Sequence, residues 1–540
     1  MSAYVIGLDF GTDSVRSMLV DAFTGKEITT SVVSYTRWSK GLYCDPAKAM
    51  YRQHPLDYLE AMEESLRITL SVNPNLLLDV KGIAIATTGS TPVAVDVDGR
   101  PLALLPEFEH NPNAMFMLWK DHTANSEAEE INRAAKTWSV DYTKYSGGSY
   151  SSEWFFSKIL HVLRADKDVA ERAYSWVEHC DWIPALLTGN TKPEDLKRSR
   201  CAGGHKAMWH EEFNGLPAQE FLESVDPLFK GIRQKLYNHT YTSDQSVGLI
   251  SKEWAAKLGL PADVSISVGA LDAHFGAVGA AIEPYTLVKV MGTSTCDMLI
   301  APLASYQDHF VKGICGQVNG SIVPGMLGME AGQSAFGDLY KWFEELVAFP
   351  LFAVLDEQER LRLKAMILPQ LNKMAAVLPL SIDDEVGLDW INGRRTPDVD
   401  MNLKGAISGI TLGTTAPRLF KTLVEATAFG SRAIIERFMR EGVPVTKVVV
   451  LGGISKKSSF VLQTLANVLK MPIQVVKSEQ TCALGAAMFA AVVGGVYTNL
   501  LSAQTAMSSG FDATYLPQQE KSAIYDKLFA KYLILGQSYN

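Results

Sequence analysis

Val5–Val20 reads VIGLDFGTDSVRSMLV, and 283 residues further on Val288–Ile300 reads VKVMGTSTCDMLI. Each is an apolar, β-rich run, a turn that opens on Gly-Thr, and a second β-rich run. A Gly-Thr pair between two such runs predicts a hairpin whose tip presents backbone N–H groups and hydroxyls with little crowding by Cβ atoms. Converging N–H dipoles of this kind suit phosphate oxygens. Ordinary turn chemistry explains either copy taken alone. Two copies, one near the start of each half, predict two similar domains that offer phosphate-binding tips to one cleft, an arrangement that clamps a nucleotide.

The chain has 540 residues, more than a single core usually holds, so two or three domains are expected. A hydrophobic content of 47% with 20% charged residues is ordinary for a folded protein. The net charge of −9 and the lack of a basic block argue against nucleic-acid binding. Cys44, Cys180, Cys201, Cys296, Cys315 and Cys482 show no CxxC spacing, so neither a disulfide framework nor a zinc site is expected and a reducing cytoplasm is favoured. No basic segment precedes the first apolar run, which Asp9 interrupts, so that run does not read as a signal peptide. Gln480–Phe511 carries no charge, but its first half is rich in Ala and Gly. It predicts a buried helix packed through small residues rather than a membrane span.

Strand-like and helical runs alternate in both halves, the mark of an α/β fold. Helical spacing covers Leu56–Val72 and Ala416–Glu441, and short buried strands are expected at Gly82–Thr87, Lys447–Leu451 and Ile473–Val476. Residues 105–215 are rich in Trp, His, Asn and Gly and read as an insertion that builds a substrate pocket, or as a loop-rich structural subdomain. The second half begins near Ile282.

Asp9 ends the first strand two residues before Gly11-Thr12, where a carboxylate either holds Mg²⁺ beside a phosphate loop or caps a turn. Ser14 and Arg16 follow on the same hairpin. Asp272 lies in VGALDAHFGAVGA (Val268–Ala280), a small-residue setting in which an acidic group is costly unless it has a task or a partner. A base that takes the proton of a substrate hydroxyl fits, and so does a helix N-cap. Gly452-Gly453, between a strand and a helix start, lets the backbone lie against a flat ring; neither GxxxxGK[ST] nor GxGxxG occurs here. Trp119-Lys120-Asp121-His122, Gly203-Gly204-His205-Lys206 and Met329–Ser334 carry polar and aromatic groups of the kind that bind sugars.

GLDFGTDS, GALDAHFGAVGA, MGTSTCD, GMEAGQSAFGD and LGGISKKS followed by ALGAAMFAA resemble the FGGY carbohydrate kinases of the actin-like ATPase superfamily, along nearly the whole chain. NPNAMFMLWKDHTA (Asn111–Ala124), SSEWFFSKILHV (Ser151–Val162), HCDWIPALLTG (His179–Gly189) and DWINGRRTP (Asp389–Pro397) resemble members of that family that phosphorylate a ketopentose. His161 stands where the family signature usually has tryptophan, three residues after Lys158. The resemblance implies an α/β fold of two actin-like (ribonuclease H-like) ATPase domains, residues 1–282 and 283–540, around a central catalytic cleft. It implies ATP and Mg²⁺, a small-molecule ketopentose, no nucleic acid, no membrane, a cytoplasmic setting and room for a homodimer. Asp272 is then the catalytic base, with Asp9 and Asp272 at the metal. Gly11, Thr12, Asp13, Ser14, Gly292, Thr293 and Ser294 line the phosphates, and Gly332, Gly453 and Lys457 border the adenosine. Trp119, Lys206, Asp272, Glu330, Ser90 and Thr91 contact the sugar. A kinase of another ketose or polyol, and an actin- or chaperone-like ATPase scaffold, are the rival readings.

Overall fold

A computed structural model describes residues 2–306 and 309–539. The first hairpin is β1 (Tyr4–Phe10) and β2 (Ser14–Asp21), paired from Tyr4–Asp21 to Phe10–Val15. β3 (Glu27–Ser34) extends it antiparallel on one side, and β4 (Val80–Thr87) pairs parallel to β1 on the other. With β5 (Ser246–Leu249), β6 (Ser265–Ser267) and β7 (Ala270–Leu271) they make a seven-stranded sheet of order β5-β6-β4-β1-β2-β3, in which β7 also pairs with β4.

The second hairpin, β8 (Thr286–Met291) and β9 (Thr295–Pro302), seeds another seven-stranded sheet. Adding β10 (Gly316–Asn319), β11 (Met326–Ala331), β12 (Lys447–Leu451), β13 (Ile473–Val476) and β14 (Phe511–Tyr515) gives the order β10-β11-β9-β8-β12-β13-β14. From each hairpin outward the plan is the same. A third strand joins antiparallel beside the hairpin's second strand, two parallel strands join beside its first, and an antiparallel edge strand follows. The repeated Gly-Thr hairpin is thus the visible part of a repeated sheet.

In the first half α1 (Pro55–Thr69) starts with Pro at its first position and His54 as its cap, and packs on β2 and β3. The segment read as an insertion has its own aromatic and aliphatic core around Phe155, Phe156, Ile159, Trp209 and Phe221, which reaches from Ala94 to Ile232. It holds α2 (Phe155–Ala165) and α3 (Arg200–Lys206). α4 (Asp272–Gly279) leads to the second half, where α5 (Gly337–Val354), α6 (Glu357–Ala376) and α7 (Ala416–Arg440) cover one sheet face. His161, at the unusual position on α2, faces Glu127 at 3.5 Å.

The uncharged run forms α8 (Thr481–Val493), buried almost all round. It belongs to the second half by sequence but packs on β1, β4 and α4 of the first. The contact is backbone on backbone: a Cβ added at Gly7 would lie 1.9 Å from the Ala483 carbonyl oxygen, and one at Gly485 1.9 Å from that of Phe275. α4 and α8 therefore form a central core shared by both sheets. Among the described residues no helix is long and apolar enough to cross a membrane.

Candidate active site

The two hairpin tips close alike. Gly11 N–H donates to the Ser14 carbonyl at 2.9 Å, and Gly292 N–H to that of Ser294 at 3.0 Å. Thr12 and Gly292–Ser294 both line one cleft cavity of about 770 Å³. The second tip is pinned from behind, since the Thr293 carbonyl accepts from Phe336 and Asp338 N–H at 2.8 and 3.0 Å.

Two carboxylates stand beside the tips. Asp9 is buried at the end of β1, where antiparallel register sets it opposite Arg16, whose Nη1 donates to Oδ2 at 3.0 Å. Its other oxygen, Oδ1, is buried without a partner. Arg16 is therefore held by Asp9 rather than released to solvent. Asp272 occupies the first turn of α4 and lines the cavity, with Oδ1 accepting from Ala273 N–H at 2.6 Å. Burial first, and the negative Asp9 second, push its carboxyl up to about 7. A helix N-terminus normally favours a carboxylate, so the upward shift means that desolvation and the Asp9 charge together outweigh the helix end.

Across the cavity, Lys206 ends α3 and Glu330 sits on β11, 124 residues apart. Lys206 Nζ donates to both carboxylate oxygens at 3.0 and 3.1 Å, over the Trp154 ring at 5.4 Å. Burial alone would raise Glu330, but the Lys206 ammonium beside it holds it below the usual carboxylate range. Burial keeps both imidazoles neutral, lowering His205 well below the usual histidine range and His274 to about 4. Trp119 Nε1 donates to Thr12 Oγ1 at 3.1 Å and so ties the insertion to the first tip.

Several expected residues stand elsewhere. Ser90 and Thr91 are fully buried beneath the cavity, which Thr88 and Gly89 line instead. Glu178 takes them: it accepts from the Ser90 hydroxyl and from Thr91 N–H. In this structure the polar groups of Ser90 and Thr91 hold a turn and are not presented to the cavity, where the resemblance implied contact with the sugar. Gly332 is also outside the cavity lining; an added Cβ would meet the Thr295 carbonyl at 2.1 Å, so it packs behind the second tip. Gly453 and Lys457 are exposed beyond the cavity, on the second half, with Gly452 close against Met291. Gly11 and Ser14 close the first tip through backbone groups, and Asp13 accepts from Trp38 Nε1 at 2.6 Å.

Lys158 organises the floor. It is wholly buried on α2, and its Nζ donates to the carbonyls of Ser90, Leu118 and Met117 at 2.7, 2.8 and 3.2 Å. It joins the Thr88–Thr91 turn to the strand that precedes Trp119. Lys158→Met takes the donor from the Ser90 and Met117 carbonyls, while the Leu118 carbonyl keeps Asp121 N–H at 2.9 Å; each orphan costs about 1–3 kcal/mol. The expected result is a loss of about 2 kcal/mol or more in stability, read by urea unfolding; an unchanged midpoint would show that the carbonyls find other donors.

Reading the sequence alone missed the cavity residues Trp154, Glu153 and Arg395. Arg395 faces Glu153 at 3.9 Å from the other half, and Glu153 also meets His122 at 3.4 Å. The only signal was their presence in SSEWFF and NGRRTP, where nothing marks a pair 242 positions apart.

The model of the FGGY family of carbohydrate kinases, N-terminal domain, matches residues 4–279, and that of the C-terminal domain matches residues 287–494. A ribulokinase of Vibrio parahaemolyticus is 49% identical, covering 99% of this chain and 95% of that protein. A ribulokinase of Geobacillus thermodenitrificans is 35% identical over 98% of this chain and 93% of its own length. Among solved structures, the xylulose kinase from Rhodospirillum rubrum superposes with a TM-score of 0.79 at 19% identity, covering 99% and 98% of the two chains. Plasmodium falciparum glycerol kinase with ADP gives 0.76 at 14%, covering 99% and 98%. At such identities these structures speak for the fold.

Proposed function

The chain belongs to the FGGY family of carbohydrate kinases, and from that premise we propose that it transfers the γ-phosphoryl group of ATP to the 5-hydroxyl of L-ribulose, giving L-ribulose 5-phosphate and ADP. The single observation that carries the mechanism is the position of Asp272, a half-buried carboxyl of raised proton affinity that lines the same cavity as the two hairpin tips and the Lys206–Glu330 pair. The full-length likeness to ribulokinases supports the choice of sugar.

In this reading Asp272 accepts the proton of the 5-hydroxyl as that oxygen bonds to the γ-phosphorus and the bond to the bridging oxygen of ADP breaks. Backbone N–H groups and hydroxyls at Thr12 and at Gly292–Ser294 hold the phosphate oxygens. Lys206 donates to the sugar and Glu330 accepts from it, while Trp119 and Trp154 offer aromatic faces to its C–H surface. Gly453 and Lys457, outside the cavity on the second half, border the adenosine.

The orphaned Asp9 Oδ1 and the charge-crowded Asp272 fit a divalent cation, because both carboxylates gain from a positive neighbour. Bound there with ATP, Mg²⁺ would offset negative charge on the phosphate oxygens. Residues 1–282, with the insertion at 105–215, would hold the sugar and residues 283–540 the nucleotide. The six free cysteines accord with work in the cytoplasm.

Initial rates with ATP and L-ribulose, D-ribulose, xylulose, ribitol or glycerol test the assignment. L-Ribulose is expected to give the highest kcat/KM; a higher value for any of the others overturns it.

A further inference from the structure

His205 at the end of α3, His274 in the first turns of α4 and Glu330 on β11 meet below the cleft, all three buried. Glu330 Oε2 lies 3.3 Å from His205 Nδ1 and 3.7 Å from His274 Nε2. Neither contact has hydrogen-bond geometry: His205 Nδ1 and both nitrogens of His274 are buried without a partner. Two histidines with three orphaned ring nitrogens around one carboxylate form an arrangement that hydrogen bonding within the chain does not explain.

The Ser321 hydroxyl donates to the Val318 carbonyl at 3.1 Å, so it accepts from His205 Nε2, 3.0 Å away. Nδ1 then carries a lone pair 3.3 Å from a carboxylate oxygen, a repulsive contact unless a cation lies between them. A histidine whose second nitrogen donates to a neighbouring oxygen is the usual form of a metal ligand. For a tetrahedral ion with ligands at ~2.1 Å, ligand atoms stand about 3.4 Å apart, close to the 3.3 and 3.7 Å seen here.

We propose that His205 Nδ1, His274 Nε2 and Glu330 Oε2 form a binding site for a borderline divalent transition metal of the zinc class, separate from the Asp9–Asp272 pair. Two imidazoles and one carboxylate suit Zn²⁺ and are poor ligands for Mg²⁺, which prefers oxygen alone. Because Glu330 and His274 also line the cleft, the fourth position of the ion opens to it. Lys206 shares Glu330 and opposes the ion, so the site is a regulatory or inhibitory one rather than a permanent structural centre. If Glu330 contacts the sugar, a consequence that rests on the function proposed above, zinc and L-ribulose exclude each other.

The test is titration of the full-length protein with Zn²⁺ against a chromophoric chelator, in excess Mg²⁺ to occupy the carboxylate pair. One ion per chain is expected, bound at least tenfold more weakly by His205→Asn and more tightly by Lys206→Met, which removes the competing ammonium. Co²⁺ in the unmodified protein should give the intense visible bands of tetrahedral coordination, a readout independent of any variant. No binding in excess Mg²⁺, equal affinity in His205→Asn, or a weak octahedral Co²⁺ spectrum overturns the site. Binding that needs His205 yet ignores L-ribulose upholds the metal site and overturns only the Glu330–sugar contact.

Discussion

Asp272→Asn is expected to lower kcat by about 10²–10⁴-fold or more, the usual cost of removing a general base, while nucleotide still binds. The amide keeps the shape of the carboxyl and can still accept from Ala273 N–H, so α4 starts as before. It cannot take a proton, and the hydroxyl of the sugar then has no acceptor as its oxygen meets phosphorus. The variant also removes a half-buried negative charge, whose proton affinity is raised first by burial and then by Asp9. Its melting temperature should therefore be no lower than that of the parent, which separates lost chemistry from lost fold. Steady-state kinetics with calorimetric titration of MgADP check both halves of the expectation. Near-normal turnover with intact nucleotide binding would remove Asp272 from the role of base.

The second large effect concerns Lys206. Loss of a desolvated, charge-assisted contact costs about 1.5–3 kcal/mol, or about ten- to over a hundredfold in kcat/KM for the sugar. Lys206→Ala should show that loss with little change in the KM for ATP. The structure adds a second consequence, because Lys206 and Glu330 form a buried pair. Removing one partner strands the other charge, which typically costs 3–5 kcal/mol of stability. The double variant Lys206→Met/Glu330→Gln, with no stranded charge, should recover much of that stability while sugar kinetics stay poor. Recovery of the kinetics as well would mean that the pair is structural and does not touch the sugar. An increase mainly in the KM for ATP would move Lys206 to the nucleotide.

The elements that could be read from sequence are those whose signal is local. The two Gly-Thr hairpins, the strand at Val80–Thr87 and the helix at Ala416–Arg440 each carry their period or turn chemistry within one segment. Asp272 was also legible, since an acid among glycines and alanines stands out. What was not legible depends on distant partners. Ser90 and Thr91 look like a free polar turn until Glu178, nearly ninety positions on, consumes their donors. Lys206 and Glu330 were each visible as candidates, yet nothing in their neighbourhoods shows that they bond to each other. Arg395 and Glu153 become members of the cleft only once the halves are together. The insertion resisted reading because its core is built from aromatic groups gathered from many short segments, with no period for a window to detect.

The placement of α8 has a consequence for how the protein is made. Its contacts are with β1, β4 and α4, yet it is translated roughly 200 residues after α4, about 10–40 s at ordinary ribosomal rates. Throughout that interval the nascent first half has an uncovered apolar face where Gly7 and its neighbours await Ala483 and Ala487. Cotranslational folding can thus finish the aromatic insertion early but leaves the central sheet open to chaperones and to aggregation. A fragment ending before Thr481 is expected to be recovered from cells mainly in insoluble form, and supplying the remaining segment in trans should rescue it.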